Sequence, residues 1–140
     1  MDILDTLQIS ASGLAAERVR LQSIASNLAN ARTTRTEEGG PYQRRAPVFE
    51  AVAPDPFASA FERQLAEVQV TEVAVTSGRG RAVYEPGHPD ADAEGYVLYP
   101  DIDVLHEMVD LMTTSRSYEA NANVLDTTRQ LALRALEIGR

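Results

Sequence analysis

Leu7, Leu14, Leu21 and Leu28 stand seven residues apart near the amino terminus, and Val104, Leu111, Tyr118, Leu125 and Ala132 repeat that interval near the carboxy terminus. Ala11, Ile24 and Ala25 fill in the first series at offsets of three and four, and Met108, Ala122 and Leu136 follow the second by four. Each series is one apolar stripe along a helix. A strict interval of seven over several turns suits helices that lie along one another. The chain is therefore expected to be α+β. Its ends, 1–36 and 101–140, pair as an antiparallel coiled coil around a small antiparallel β insert, 37–100.

Local signals place the ends of these elements. Asp2 or Asp5 is suited to cap the first helix. The pattern stops after Asn30 and Ala31, where Thr33, Thr34 and Thr36 lead into Gly39, Gly40 and Pro41. In the second helix either Asp101 or Asp103 caps the start, Glu107 lies in the first turn, and Arg134 and Arg140 lie near the far end. At 1.5 Å per residue the rods are about 40 and 54 Å long. Leu105, Val109, Met112, Val124, Leu131, Leu133 and Ile138 fall outside the second stripe. One partner helix cannot cover them, so the insert or other subunits must.

Within the insert, Tyr42 to Val52 reads as a strand that stops before Pro54 and Pro56. Phe57 to Leu65 fits either a short helix or a connection. Val68, Val70, Val73 and Val75 form a second strand, with a one-residue slip that implies a bulge. Gly78 to Arg81 then reads as a hairpin turn leading to a returning strand at Ala82 to Glu85, and Gly95 to Tyr99 gives the fourth strand.

The net charge of -8 is distributed as +1 over 1–36, -6 over 37–100 and -3 over 101–140. An acidic insert disfavours nucleic acid and anionic membranes, which require a basic face. There is no Cys, hence no disulfide and no thiolate metal site. No apolar run reaches the roughly 20 residues of a membrane span, so no membrane insertion is expected. Asp2 and Asp5 stand where a signal peptide would carry cations, which leaves a route of export without a cleaved signal.

Four small motifs bear on chemistry. His106-Glu107-Met108-Val109-Asp110 approaches the zinc pattern H-E-x-x-H, but Asp110 replaces the second His; the plain reading is polar residues at a helix start. Asp90, Asp92, Glu94, Gly95 and Asp101 fit positions 1, 3, 5, 6 and 12 of a calcium loop. The entering segment Pro86-Gly87-His88-Pro89 cannot be the helix that such a loop needs, so a solvated acidic turn is favoured. Gly78-Arg79-Gly80-Arg81 is a turn rather than an RNA-binding repeat. Ser77, Ser115 and Ser117 have no His at a nucleophile's spacing. No catalytic, metal or cofactor residue is assigned, and no cofactor is expected. Asn27, Asn30, Asn121 and Asn123, with Ser23, Ser26, Ser115 and Ser117, lie near the stripes. They are either a solvated outer face or residues that set register against specific neighbours at a cost in stability.

Two of these segments resemble a known family. Ser26-Asn27-Leu28-Ala29-Asn30-Ala31 with Thr33-Thr34 is similar to the amino-terminal signature of the bacterial flagellar axial proteins, the rod and hook subunits. Ser115-Arg116-Ser117-Tyr118-Glu119-Ala120-Asn121 resembles their carboxy-terminal signature. Gly39 to Arg45, Val83 to Asp92 and Gly95 to Pro100 resemble the proximal-rod branch of that family, while 53–76 matches less clearly. The resemblance implies a structural subunit of the flagellar basal-body rod rather than an enzyme. It implies export through the flagellar type III apparatus and assembly in the periplasm. The implied partners are other proximal-rod subunits, the distal rod and the adaptor that joins the rod to the membrane ring. The residues expected at the assembly interface are Leu7, Leu14, Leu21, Ile24, Asn27, Leu28 and Asn30 on the first helix. On the second they are Val104, Met108, Leu111, Ser115, Arg116, Tyr118, Asn121, Leu125 and Leu136.

Overall fold

A computed structural model describes residues 3–52, 66–76, 78 and 80–138. The elements in order are α1 (Ile3–Ala29), β1 (Arg45–Val52), β2 (Glu67–Val75), β3 (Arg81–Tyr84), β4 (Tyr96–Tyr99) and α2 (Val104–Ile138). Asp2, as a helix cap, and the segment Phe57 to Leu65 lie outside the described residues. Asp5 falls in the first turn of α1. Asp103 caps α2, its Oδ1 accepting from the backbone N–H of Leu105 at 2.9 Å and of His106 at 3.3 Å. Neither helix has a basic residue in its last turn; Arg134 lies near the far end of α2, and Arg140 lies outside the described residues.

The two helices pack against each other in opposite directions. Asn27 bonds Glu107, and Gly13 faces Asn121, whose amide nitrogen lies 3.4 Å from where a Cβ on Gly13 would stand. Both contacts are separated by fourteen residues on α1 and fourteen on α2, two heptads, so the register between them is unbroken.

β1 and β2 pair antiparallel and lie along α1. Near the start of β1, Asn27 bonds Arg45. At the other end of the pair, Ser12 Oγ accepts from Val68 N–H at 3.1 Å and Gln8 donates to Glu67 at 2.7 Å. The register shifts between Val48 and Phe49, leaving Thr71 as the extra residue of the bulge that the valine spacing implies.

β3 pairs with β4, not with β2. The expected hairpin through Gly78 to Arg81 therefore does not form, and the four strands make two separate two-stranded sheets. After Thr76 the chain leaves the first sheet and crosses to the segment that follows α1. Gly80, at φ +69, brings its backbone against Tyr99, where a Cβ would stand 2.7 Å from the carbonyl oxygen. Thr34 and Arg35 bond Asp90, tying this second sheet to the end of α1. Tyr99 O–H donates to Glu85 at 2.9 Å, and that carboxylate raises the phenol's pKa above its ordinary value.

The core is thin. Among the described residues the buried apolar side chains are Ala16, Ile24, Tyr42 and Val97. Ser23, Asn27, Glu107 and Thr114 are buried beside them.

Candidate assembly interface

The most constrained site is a polar joint where α1, the segment entering β1, and α2 meet. Asn27 is 1% exposed, and its amide donates two hydrogen bonds and accepts two. Nδ2 donates to the Arg45 carbonyl at 2.9 Å and to Glu107 Oε2 at 3.1 Å. Oδ1 accepts from Arg45 N–H at 2.9 Å and from Tyr42 O–H at 3.1 Å. Because the Tyr42 proton is directed at Asn27, its oxygen accepts from Ser26 Oγ, 3.0 Å away. Glu107 is also 1% exposed, and its second oxygen takes Arg44 Nε at 2.6 Å. The buried carboxylate is thereby paired and bonded at both oxygens, which is the condition for burying such a charge. Arg45 places its guanidinium over the Tyr42 ring, 5.8 Å from its centroid.

Carboxylates of both metal-like motifs have partners within the chain. Glu107 points into the α1–α2 contact while His106 is exposed and faces Asp110, 3.6 Å away along the same helix. The two halves of the zinc-like pattern thus diverge. In the calcium-like loop, Asp92 Oδ1 accepts from the backbone N–H of Glu94 and Tyr96. Asp90 takes Thr34 and Arg35. These carboxylates close a turn.

Of the residues expected at the interface, Ile24 and Asn27 are buried. Leu7, Leu14, Leu21, Leu28, Asn30, Leu111, Ser115, Asn121 and Leu125 are half-buried. Val104, Met108, Arg116, Tyr118 and Leu136 are exposed, Leu136 at 72%. The leucine stripe does not face α2. Leu14 and Leu28 each follow by one residue a position that does, Gly13 and Asn27, and so are turned about 100° from the contact line. Gln8 and Ser12, which hold β2, lie on the other flank. α1 therefore meets α2 along a line of small and polar residues, carries the β pair on one flank and leaves its leucines on the opposite one.

Sequence reasoning missed Ala16, Tyr42, Arg44, Glu107 and Thr114. For Glu107 a signal was available: Glu107, Thr114, Asn121 and Thr128 repeat at seven, three residues after Val104, Leu111, Tyr118 and Leu125. On the opposite side of α2, Leu105, Met108, Val109 and Met112 form an exposed apolar stripe at offsets of three, four and seven, with Leu105 at 72% and Met112 at 63%. Leu131, Leu133 and Leu136 are also exposed towards the far end of the helix.

Comparison with known proteins bears on both ends and on the whole. Residues 7–35 match the family described as "Flagella basal body rod protein", and residues 93–138 match "Flagellar basal body rod FlgEFG protein C-terminal". The flagellar basal-body rod protein FlgC of Bacillus subtilis is 38% identical over the full length of both chains. That of Salmonella typhimurium is 41% identical, again over the full length of both. This chain belongs to the FlgC family. FlgC of Aquifex aeolicus is 41% identical over 98% of this chain and 97% of its own. A member of the FlgC family is a structural subunit located in the rod of the flagellar basal body. The joint described above lies across both matched segments, with Asn27 in the first and Glu107 in the second. Tyr42 and Arg44 fall between them.

Proposed function

We propose that this FlgC-family chain is a building block of the proximal rod, assembling with copies of itself and with other rod subunits into a tube that transmits torque. The observation that carries this is the apolar surface left over after the chain has folded. The outer stripe of α2 and the leucine flank of α1 remain partly or wholly open, and surface of that kind needs neighbours. Contacts that do not close by rotation generate a helical tube, and stiff helices packed side by side resist twisting. In this reading 1–36 and 101–140 form the assembly-bearing helical pair, and 37–100 is the insert that shapes it. Leu7, Leu14, Leu21, Leu28, Met108, Leu125 and Leu136 contribute to neighbour contacts. The neighbours are other proximal-rod subunits, the distal rod and the adaptor to the membrane ring. The subunit reaches them through the flagellar type III export apparatus. Among the described residues no helix is long and apolar enough to cross a membrane. We assign no catalytic role, because Glu107 is engaged by Arg44 and Asn27.

Clean deletion of the gene tests this reading. Rod completion and motility should be lost while the membrane ring persists, and expression of the full chain should restore both. Normal filaments in the deletion strain would overturn the assignment.

A further inference from the structure

We infer that the Asn27–Glu107 joint selects one register for the helical pair out of several that the rest of the contact line would accept. The contact line has a seven-residue period on both helices. Gly13, Ala16, Arg20 and Ser23 lie on α1, with Arg20 midway between Gly13 and Asn27, and Thr114, Asn121 and Thr128 lie on α2. Such a line carries little to distinguish a pairing from one displaced by a heptad: most displaced residues meet another small or modestly polar one, and displacement in one direction brings Arg20 opposite Glu107. Thr114 is buried with its hydroxyl lacking a hydrogen-bond partner, so the line is not optimised even in the register it adopts.

The joint differs in kind. Asn27 bonds four groups and Glu107 two, and Arg44 and Arg45 sit a fixed distance along the chain from α1. Displacement by one heptad, about 10 Å, would put Asn27 opposite Thr114 or beyond the start of α2. Either arrangement leaves the carboxylate without Arg44 and the amide without a carboxylate. A single buried polar residue specifies register in this way in coiled coils, at a cost in stability relative to an apolar pair. Replacing both partners together by leucine removes the selection and leaves helices that still pair.

Cysteine cross-linking in the full chain, which has no Cys of its own, provides the test. Cysteines are introduced at Gly13 and, in separate proteins, at Asn121, Thr114 or Thr128. They are oxidised in dilute solution, with helical content followed by circular dichroism. With the joint intact only the 13–121 bond should form. With Asn27→Leu and Glu107→Leu together, the 13–114 or 13–128 bond should rise at least tenfold while helical content holds. Glu107→Gln, which keeps an acceptor for Asn27, should retain the single register. An unchanged 13–121 preference in the double-leucine protein would overturn the inference, since the insert would then be setting register by itself. Loss of helix in that protein would also overturn it, because the joint would be holding the helices together rather than choosing how they pair. Absence of the 13–121 bond from the protein with its joint intact would count equally against it.

Discussion

At the scale of the residue, one amide does more than any leucine. Asn27→Ala removes four hydrogen bonds from a side chain that is 1% exposed and leaves Glu107 with Arg44 alone. Truncating one member of a satisfied buried network strands the others, and the expected loss is about 2–4 kcal/mol, measured by urea unfolding. Thr114 is the opposite case. Its hydroxyl is buried without a partner, so Thr114→Val, which keeps the branched shape and discards the stranded oxygen, should stabilise the chain by about 1 kcal/mol. A Thr114→Val protein weaker than the parent would mean that the hydroxyl has a partner in solution. Asn27 reads from the sequence as either solvated or register-setting, and Glu107 is marked only by the seven-residue repeat it shares with Thr114, Asn121 and Thr128. Asparagine and glutamate at helical positions are more often solvated, and the contact between these two, 80 residues apart in sequence, shows which reading holds.

At the scale of the element, the helices and strands were legible and their partners less so. The seven-residue interval located both helices, the caps and glycines gave their ends, and the valine spacing located the bulge at Thr71. Of the residues expected at the interface, Asn27 and Asn121 lie on the contact line, whereas the leucines of α1 do not. On α1 that line runs through Gly13, Arg20 and Asn27, with Ala16, Ser23 and the buried Ile24 beside it and the leucines turned to the flank. The strand pairing was misread. Glycines between two strands look like a hairpin turn, whereas Gly80 serves a close approach to Tyr99 that sends the chain away from β2. The two uses of glycine are separable by experiment. Gly39 and Gly80 both have positive φ, but a Cβ on Gly39 meets nothing and one on Gly80 meets backbone at 2.7 Å. Gly39→Ala should cost about 1 kcal/mol, from backbone conformation alone. Gly80→Ala should cost at least twice that, with the second sheet loosened. Equal thermal shifts for the two would show that the crossing at Tyr99 is not a tight one.

At the scale of the whole molecule, the parts that hold the chain together and the parts left for neighbours lie on different sides of α2. Glu107 and Thr114 face α1, whereas Leu105, Met108, Val109 and Met112 face away from it. The separation makes assembly and folding independently testable. Leu105→Gln with Met112→Gln alters side chains that are 72% and 63% exposed. Glutamine is as good a helix former as the residues it replaces, so the isolated chain should keep its stability to within about 0.5 kcal/mol. In the rod the same two changes would place polar groups where a neighbour's apolar surface is expected. Complementation of a deletion strain should therefore fail, with the folded variant recovered from cells but missing from purified basal bodies. Incorporation at the parental level, with normal swimming, would mean that this stripe stays in water in the assembled rod and that the leucine flank of α1 carries the contacts instead.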